Sequence, residues 1–199
     1  MGEVLLVRHG LAGSNRDALA SCTVPGLGLT PEGVEQARAL ARELEPEEIA
    51  VAITSRFART QETLSLALGG RAVPTVVHQE LDEIHFGSFD GGLLETYRAW
   101  AFASPPDEMP PGGGESRAQA AARFAQGMRL VLERPEGRML VVGHALAIRY
   151  WLDAATGLVP AARMAPVDHA RPYRLTRAEA ERGALLLEEW SATPAFRVP

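Results

Sequence analysis

The sequence contains no lysine, and all twenty of its basic residues are arginines. This absence excludes a Walker-type phosphate loop and any Schiff-base chemistry, because both need a lysine side chain. The sequence also lacks a basic surplus, since its net charge is -5. A general nucleic-acid-binding protein would normally carry an excess of positive charge, so the composition argues against that class. The composition still allows a local cluster of arginines.

Cysteine occurs once, at Cys22, which excludes an intramolecular disulfide framework and an all-cysteine zinc site. A cysteine phosphatase would need arginine six positions further on, where this chain has Gly28. A Gly-x-Ser-x-Gly nucleophile elbow and a His-Glu-x-x-His zinc helix are also missing. No apolar run reaches the roughly 18 residues of a membrane span. We therefore expect a soluble, cytoplasmic protein with no membrane partner.

Segments typical of buried strands alternate along the chain with segments typical of amphipathic helices. Apolar runs predict strands over residues 4–7, 50–53, 73–77 and 139–142. Among the last thirty residues, which we expect to give one or two strands, the triple leucine at 185–187 is the clearest candidate. Helices are predicted over residues 30–44, 55–68, 93–103, 116–132 and 146–156, the second of them with Ser55 as its N-cap.

This alternation predicts an α/β fold with a mostly parallel central sheet flanked by helices. The length fits one domain over residues 1–199. The segment 105–114, with its four prolines and three consecutive glycines, is expected to be a surface loop between two helices.

Residues suited to anion binding follow three of the predicted strands. The first strand runs into Arg8 and His9, the second into a helix that carries Arg59, and the fourth into His144. Ligands of open α/β sheets bind at the carboxyl ends of the strands, so these side chains are expected to converge. Guanidinium groups match phosphate oxygens and stay charged at any working pH. The sequence therefore predicts a site for a phosphate ester, where phosphoryl transfer depends mainly on positioning and charge.

These segments belong to a longer, ordered set of motifs between about residues 4 and 150. The first motifs in chain order are Leu6-Val7-Arg8-His9-Gly10, Asn15, and Leu29-Thr30-Pro31-Glu32-Gly33 with Gln36-Ala37. They are followed by the segment 55–63, Leu81-Asp82-Glu83, Gly113-Gly114-Glu115-Ser116 and Val142-Gly143-His144. On these motifs the sequence resembles the histidine phosphatase superfamily, which includes the phosphoglycerate mutases. The resemblance implies a phosphoglycerate mutase-like fold.

The resemblance also implies a role for each matching residue. His9 would be the nucleophile that takes the phosphoryl group, and Glu83 would be the general acid and then the general base. The implied catalytic set is His9, Glu83, His144, Arg8 and Arg59. The implied phosphate-binding set is Arg8, Asn15, Arg59 and His144.

Several neighbouring residues remain alternatives. Glu80, Asp82 and Asp90 lie close enough to Glu83 in sequence to compete for the role of the acid. The segment 78–85 could supply metal ligands, but it has no defined spacing, so we expect no metal and no cofactor. His78, His85 and His169 are interpreted as surface or packing residues, and Arg149 as the partner of a carboxylate. His85 and Arg171 are the next candidates for contacting the substrate.

The function predicted is a metal-independent phosphomonoesterase that hydrolyses a small phosphate ester through a phosphohistidine on His9. The alternatives are a cofactor-dependent phosphoglycerate mutase and a non-catalytic protein that binds a phosphorylated ligand. The Gly-Gly-Glu-Ser stretch and the shortness of the segment 87–111 favour the phosphatase. Leu11 and Ala145 depart from the pattern of the family, and both changes affect substrate recognition more than reaction class. The sequence leaves the identity of the ester and the oligomeric state open.

Overall fold

The computed structural model describes residues 2–135 and 137–197. Five strands form one sheet in the order β3-β2-β4-β1-β5. They are β1 (Glu3–Arg8), β2 (Val51–Thr54), β3 (Thr75–Val77), β4 (Arg138–Gly143) and β5 (Pro172–Thr176). The first four are parallel and β5 is antiparallel to β1. The predicted α/β fold with a mostly parallel sheet is confirmed. The prediction of one domain over residues 1–199 includes Met1, Glu136, Val198 and Pro199, which lie outside the described residues.

The helices connect these strands and cover the sheet. They are α1 (Gly13–Arg16), α2 (Pro31–Glu43), α3 (Ala58–Leu68), α4 (Leu94–Ala103), α5 (Arg117–Leu132), α6 (Ala145–Ala155) and α7 (Arg177–Ala192). Two short 3-10 segments, Gln79–Leu81 and Gly87–Phe89, lie between β3 and α4. The proline-rich segment 105–114 connects α4 to α5, as predicted. Among the described residues, no helix combines the length and apolarity that would let it cross a membrane.

Alternate residues of the buried strands pack against different helices. Val4 and Leu6 of β1 belong to the core on the side of α5, α6 and α7, whereas Leu5 and Val7 belong to the core on the side of α2 and α3. Successive side chains of a strand point to opposite faces, so a continuous apolar run is buried on both. The sheet is therefore the middle layer of three.

The prediction of a strand at 185–187 is wrong, because these leucines lie within α7. The helix begins with a capping box, in which the Thr176 hydroxyl accepts the Glu179 amide and the Glu179 carboxylate accepts the Thr176 amide. Its buried residues recur at helical spacing: Ala180, Gly183, Ala184, Leu187 and Trp190. Leu185 itself is exposed. Three adjacent leucines do not distinguish a strand from a helix without this longer period.

Two predicted boundaries also change. The helix expected to start at Ser55 begins at Ala58, with Phe57 at the N-cap, and the Ser55 hydroxyl is used elsewhere. The strand expected over 73–77 is confined to Thr75–Val77. Pro74, which precedes it, has no amide hydrogen to donate to the sheet, and only its carbonyl pairs with β2.

Candidate active site

The carboxyl ends of three neighbouring strands bring the predicted site residues together. In the sheet β4 lies between β1 and β2, and Arg8 pairs in register with Gly143. The His9 amide donates to the Gly143 carbonyl at 3.1 Å, so His9 and His144 leave their strands side by side. Their ring centroids are 5.4 Å apart. Parallel strands that end at one edge thus place residues far apart in sequence next to each other, as predicted.

Arg59 lies in the first turn of α3, and its side chain is buried. Its guanidinium carbon lies 4.2 Å from the centre of the Phe57 ring. Its Nη2 donates to the Ser21 carbonyl at 3.1 Å and lies 3.3 Å from Nδ1 of His144. Its Nη1 is buried and has no hydrogen-bond partner within residues 2–135 and 137–197.

Arg8, at the end of β1, also combines one hydrogen bond to a backbone carbonyl with one buried donor that has no partner among the described residues. Its Nη1 donates to the Val167 carbonyl at 2.8 Å, whereas its buried Nε has no partner in the described part of the chain. A buried donor without an acceptor is costly. Arg8 and Arg59 thus each keep one donor that no other group in the described part of the chain uses.

The protonation state of His9 follows from its surroundings. Its Nδ1 lies 2.7 Å from the Gly10 carbonyl oxygen, which can only accept, so Nδ1 carries the hydrogen and Nε2 keeps its lone pair. Burial, followed by the charges of Arg59 and Arg8, holds the pKa of His9 well below 6.5. The ring is therefore neutral at neutral pH and has a free nucleophilic nitrogen.

His144 is fully buried between polar groups from three elements. Its Nε2 lies 3.0 Å from the Ser55 hydroxyl, which in turn lies 2.8 Å from the Thr60 hydroxyl. Its Nδ1 faces Arg59 and lies 3.7 Å from a carboxylate oxygen of Glu83. Burial and the charge of Arg59 lower the pKa of His144. Because a guanidinium can only donate, Nδ1 of the neutral ring accepts from Arg59, so Nε2 carries the hydrogen and donates to the Ser55 hydroxyl.

Glu83 is the carboxylate closest to these rings. Its Oε1 accepts the Ile84 amide at 3.1 Å, and 16% of its side chain is exposed. Burial raises the pKa of Glu83, against the opposing effect of Arg59. A carboxyl group that keeps its proton to higher pH is better suited to donate it near neutrality.

The competing carboxylates are engaged elsewhere. Asp82 accepts from the backbone and side chain of Arg56 at 3.0 and 2.8 Å. Asp90 accepts from Cys22 and Thr23, and Glu80 faces a separate surface cleft. Among the acids weighed from the sequence, Glu83 alone lines the cavity at the strand ends.

Arg123 of α5 holds the loop that carries Glu83. Its guanidinium donates to the backbone carbonyls of Glu80, Asp82 and Glu83 at 2.9 to 3.3 Å. The same group forms two 2.7 Å hydrogen bonds with Glu115, which fixes its orientation. Planar, bidentate pairing of this kind restricts a guanidinium more than a single contact does. The position of Glu83 thus depends on a helix that starts more than thirty residues later.

Asn15 also lines the cavity. Its Oδ1 accepts the Ala12 amide at 3.1 Å, so the side-chain amide nitrogen of Asn15 remains available as a donor.

The cavity has a volume of about 410 Å³ and is shared by Arg8, His9, Arg59 and Glu83. Within the described residues, no three His, Cys, Asp or Glu side chains are grouped closely enough to hold a metal ion.

His169 is one of the residues near the site whose contact the sequence did not predict. It was interpreted as a surface or packing residue, yet its Nδ1 lies 2.7 Å from the His9 carbonyl and its ring centroid is 5.5 Å from that of His9. It orients the backbone of His9 from a loop 160 residues away. No local pattern marks such a contact.

The structure also locates His85, Arg171 and Arg149 relative to the cavity. His85 is exposed in the separate surface cleft, and Arg171 pairs with Asp168 at 3.0 Å on the surface, so neither lines the cavity as suspected. Arg149 does line it, and it pairs with Asp153 at 3.4 Å, as expected, as well as with two carbonyls.

Comparisons with known proteins agree with the ordered motifs. The sequence profile of the histidine phosphatase superfamily (branch 1) matches residues 4–193. A metal-independent phosphoserine phosphatase of Arabidopsis thaliana is 32% identical over 158 residues, which are 74% of this chain and 66% of that protein. A 2,3-bisphosphoglycerate-dependent phosphoglycerate mutase of Gloeobacter violaceus is 30% identical over 91% of this chain and 82% of its own length.

A solved structure, YhfR of Bacillus stearothermophilus, superposes with a TM-score of 0.78 over 88% of this chain and 91% of that one, at 25% identity. The relatives thus include both phosphatases and mutases. Because the profile covers almost the whole chain and the fold agrees, the chain belongs to the histidine phosphatase superfamily, branch 1.

Proposed function

We propose that this protein is a phosphomonoesterase that transfers the phosphoryl group of a small ester first to Nε2 of His9 and then to water. The observation that carries the proposal is that Arg8 and Arg59 line one cavity together with a neutral His9 at the strand ends. A phosphate dianion bound there would offset the two buried charges.

In the first step, Nε2 of His9 attacks phosphorus while the ester P–O bond breaks. Glu83, whose pKa is raised by burial, gives its proton to the departing oxygen. Arg8, Arg59 and the amide of Asn15 bind the equatorial oxygens, whose charge must be stabilised in the transition state. A bound dianion favours the protonated form of His144, which then donates a further hydrogen bond to the phosphoryl group. The alcohol leaves, and the phosphoryl group stays on His9.

In the second step, water attacks phosphorus and the P–N bond breaks. Glu83, now ionised, takes a proton from that water, so it acts as acid and base in turn. His9 returns to its neutral form with Nδ1 still bound to Gly10, and inorganic phosphate leaves. The positive charge at the site comes from side chains, so we propose that no metal ion is required.

The proposal is tested by trapping the intermediate after dialysis against a chelator. Brief mixing with an ester labelled in its phosphoryl group should leave acid-labile, base-stable label on His9. Label on Cys22 or on a serine, or label that forms only after zinc or magnesium is restored, would contradict the mechanism. Release of inorganic phosphate from several esters, rather than transfer to an acceptor hydroxyl, would distinguish a phosphatase from a mutase.

A further inference from the structure

The Gly-Gly-Glu-Ser motif, residues 113–116, is joined to the segment 80–86 that carries Glu83. The Glu115 amide donates to the His85 carbonyl at 2.9 Å, and the Glu115 carboxylate accepts the His85 amide at 3.3 Å. Glu115 lines the separate surface cleft, whereas Glu83 lines the cavity. The motif therefore supports the segment from the side that faces away from the reaction.

Arg123 of α5 connects the same motif to the backbone around Glu83. Its Nε and Nη2 donate to the two carboxylate oxygens of Glu115, both at 2.7 Å. Its Nη1 donates to the carbonyls of Glu80 and Asp82, and Nη2 donates also to the carbonyl of Glu83. These hydrogen bonds use all five N–H donors of the guanidinium, so no donor is free to change partner. A lysine ammonium has only three donors, all on one atom, and could not make the same contacts.

Helix α5 lies close against the segment 80–86. A Cβ atom at Gly127, one turn beyond Arg123, would come within 2.9 Å of the Leu81 side chain. The start of the helix is fixed by Ser116, whose hydroxyl accepts a backbone amide of the first turn at 3.1 Å. The motif thus supplies the N-cap of the helix as well as the carboxylate that orients Arg123.

The carboxylate of Glu83 has few contacts of its own. Within residues 2–135 and 137–197, its only hydrogen bond is with the amide of Ile84, the next residue in the chain. Its other oxygen lies 3.7 Å from Nδ1 of His144, which is beyond hydrogen-bond distance. A general acid must lie within hydrogen-bond reach of the oxygen that it protonates. The location of this carboxylate therefore depends on how firmly its backbone is held.

We propose that Glu115 and Arg123 are positioning residues for the general acid Glu83, so that the Gly-Gly-Glu-Ser motif serves the proton-transfer step. Arg123 fixes the backbone of the segment 80–86, and Glu115 fixes Arg123. Neither of the two lines the cavity, so both act through Glu83 and not on the substrate. The inference rests on the proposed phosphomonoesterase function, and its test separates the two.

The test measures single-turnover rates of phosphoryl transfer from phenethyl phosphate and from nitrophenyl phosphate. Both esters have an aromatic body, but the phenethyl alkoxide needs a proton to leave and nitrophenolate does not. In Arg123→Gln the rate on phenethyl phosphate should fall about tenfold or more, and the rate on nitrophenyl phosphate by less than about threefold. Glu115→Gln should show the same selectivity with a smaller loss, because Arg123 keeps its three carbonyl partners.

Double variants show whether the pair acts through Glu83, because losses that pass through one group do not add. In Glu83→Gln, which has no proton to transfer, adding Arg123→Gln should leave the ratio of the two rates unchanged. Adding Glu115→Gln to Arg123→Gln should also change that ratio little. Arg129→Gln is the matched control and should keep both rates, because Arg129 lies on the same helix but pairs with Glu188 of α7.

An unchanged ratio in both Arg123→Gln and Glu115→Gln would overturn the inference, and so would equal losses on the two esters, which would indicate a structural role only. A further selective loss in the double variant with Glu83→Gln would overturn it as well. Turnover of nitrophenyl phosphate reports that a variant is folded, and Glu115→Gln, the milder change, decides the outcome if Arg123→Gln does not fold.

Failure of the proposed function gives a different result. If the wild type hydrolyses neither ester, the phosphomonoesterase proposal fails and this inference fails with it. If the wild type hydrolyses both but Glu83→Gln shows no selectivity, the assignment of the acid is wrong and the pair has no proton donor to position.

Discussion

The two ends of the cavity differ in how their side chains are held. At the inner end, Arg8, His9 and His144 lie at the carboxyl ends of two strands of one sheet, and each side chain forms at least one hydrogen bond with the backbone or with a neighbouring side chain. At the outer end, helix α4 and the segment 162–167 supply mainly apolar walls. We propose that the inner end carries out the reaction and that the outer end selects the ester. Relatives that include a phosphoserine phosphatase and a phosphoglycerate mutase are consistent with this division.

The largest effect is expected from His9→Ala, which removes the proposed nucleophile at the inner end. Turnover should fall by roughly a thousandfold or more on every ester, because no other group forms the covalent intermediate. Vanadate should still bind, since Arg8 and Arg59 remain. Steady-state rates on three esters and vanadate titration would measure this. His85→Ala is the control, because this exposed histidine lies outside the cavity. A variant that keeps activity on one of the esters would contradict the division between the two ends.

The next largest effect is expected from Glu83→Gln, because Glu83 is the proposed general acid. Single-turnover rates on an alkyl phosphate should fall by about a hundredfold, since an alkoxide needs a proton to leave. The loss on nitrophenyl phosphate should be much smaller in that step, because nitrophenolate leaves without one. Glu80→Gln is the control, as Glu80 faces the surface cleft. Equal losses on both substrates would indicate that Glu83 positions the substrate and does not donate the proton.

A smaller effect is expected at the outer end. Phe102 lines the cavity, and its ring packs against the Arg163 guanidinium at 4.8 Å. Phe102→Ala should lower kcat/KM for aryl phosphates by about three- to tenfold, as expected for the loss of one aromatic contact. The value for a small alkyl phosphate should stay the same. Met109→Ala is the control, because Met109 is exposed and does not line the cavity. If both classes of ester lose equally, the outer end also serves the reaction.

The smallest effect concerns stability and the buried histidines. Burial and nearby guanidiniums hold the pKa values of His9 and His144 well below 6.5. Below pH 6.5 the unfolded chain therefore binds more protons than the folded one, and the free energy of unfolding should fall as the pH decreases. Each histidine contributes at most about 1.4 kcal/mol per pH unit.

Urea unfolding at about pH 7.5 and about pH 5.5 measures this pH dependence. His9→Gln should reduce the loss of stability between the two values, whereas His85→Gln should leave it unchanged. An unaltered loss in His9→Gln would mean that His9 is not held neutral by the fold. The raised pKa of Glu83 acts in the opposite direction, but it is common to all three proteins and cancels in the comparison.

The sequence by itself determined the α/β class, the strands at 4–7 and 139–142, and the convergence of Arg8, His9, Arg59 and His144. These features are local: apolar runs and helical periods are read from neighbouring residues, and parallel strands necessarily end at one edge. The same local reasoning failed at 185–187, where a short apolar run fits a strand and a helix equally well.

Only the tertiary structure decided which acid faces the histidines, because Arg56 and Thr23 remove Asp82 and Asp90 from competition through contacts across distant segments. It also placed the His169 ring against the His9 carbonyl and the Arg123 guanidinium against the Glu83 carbonyl. Whether a polar group is paired depends on what the fold brings within about 3 Å of it, and side-chain spacing along the chain does not encode that distance.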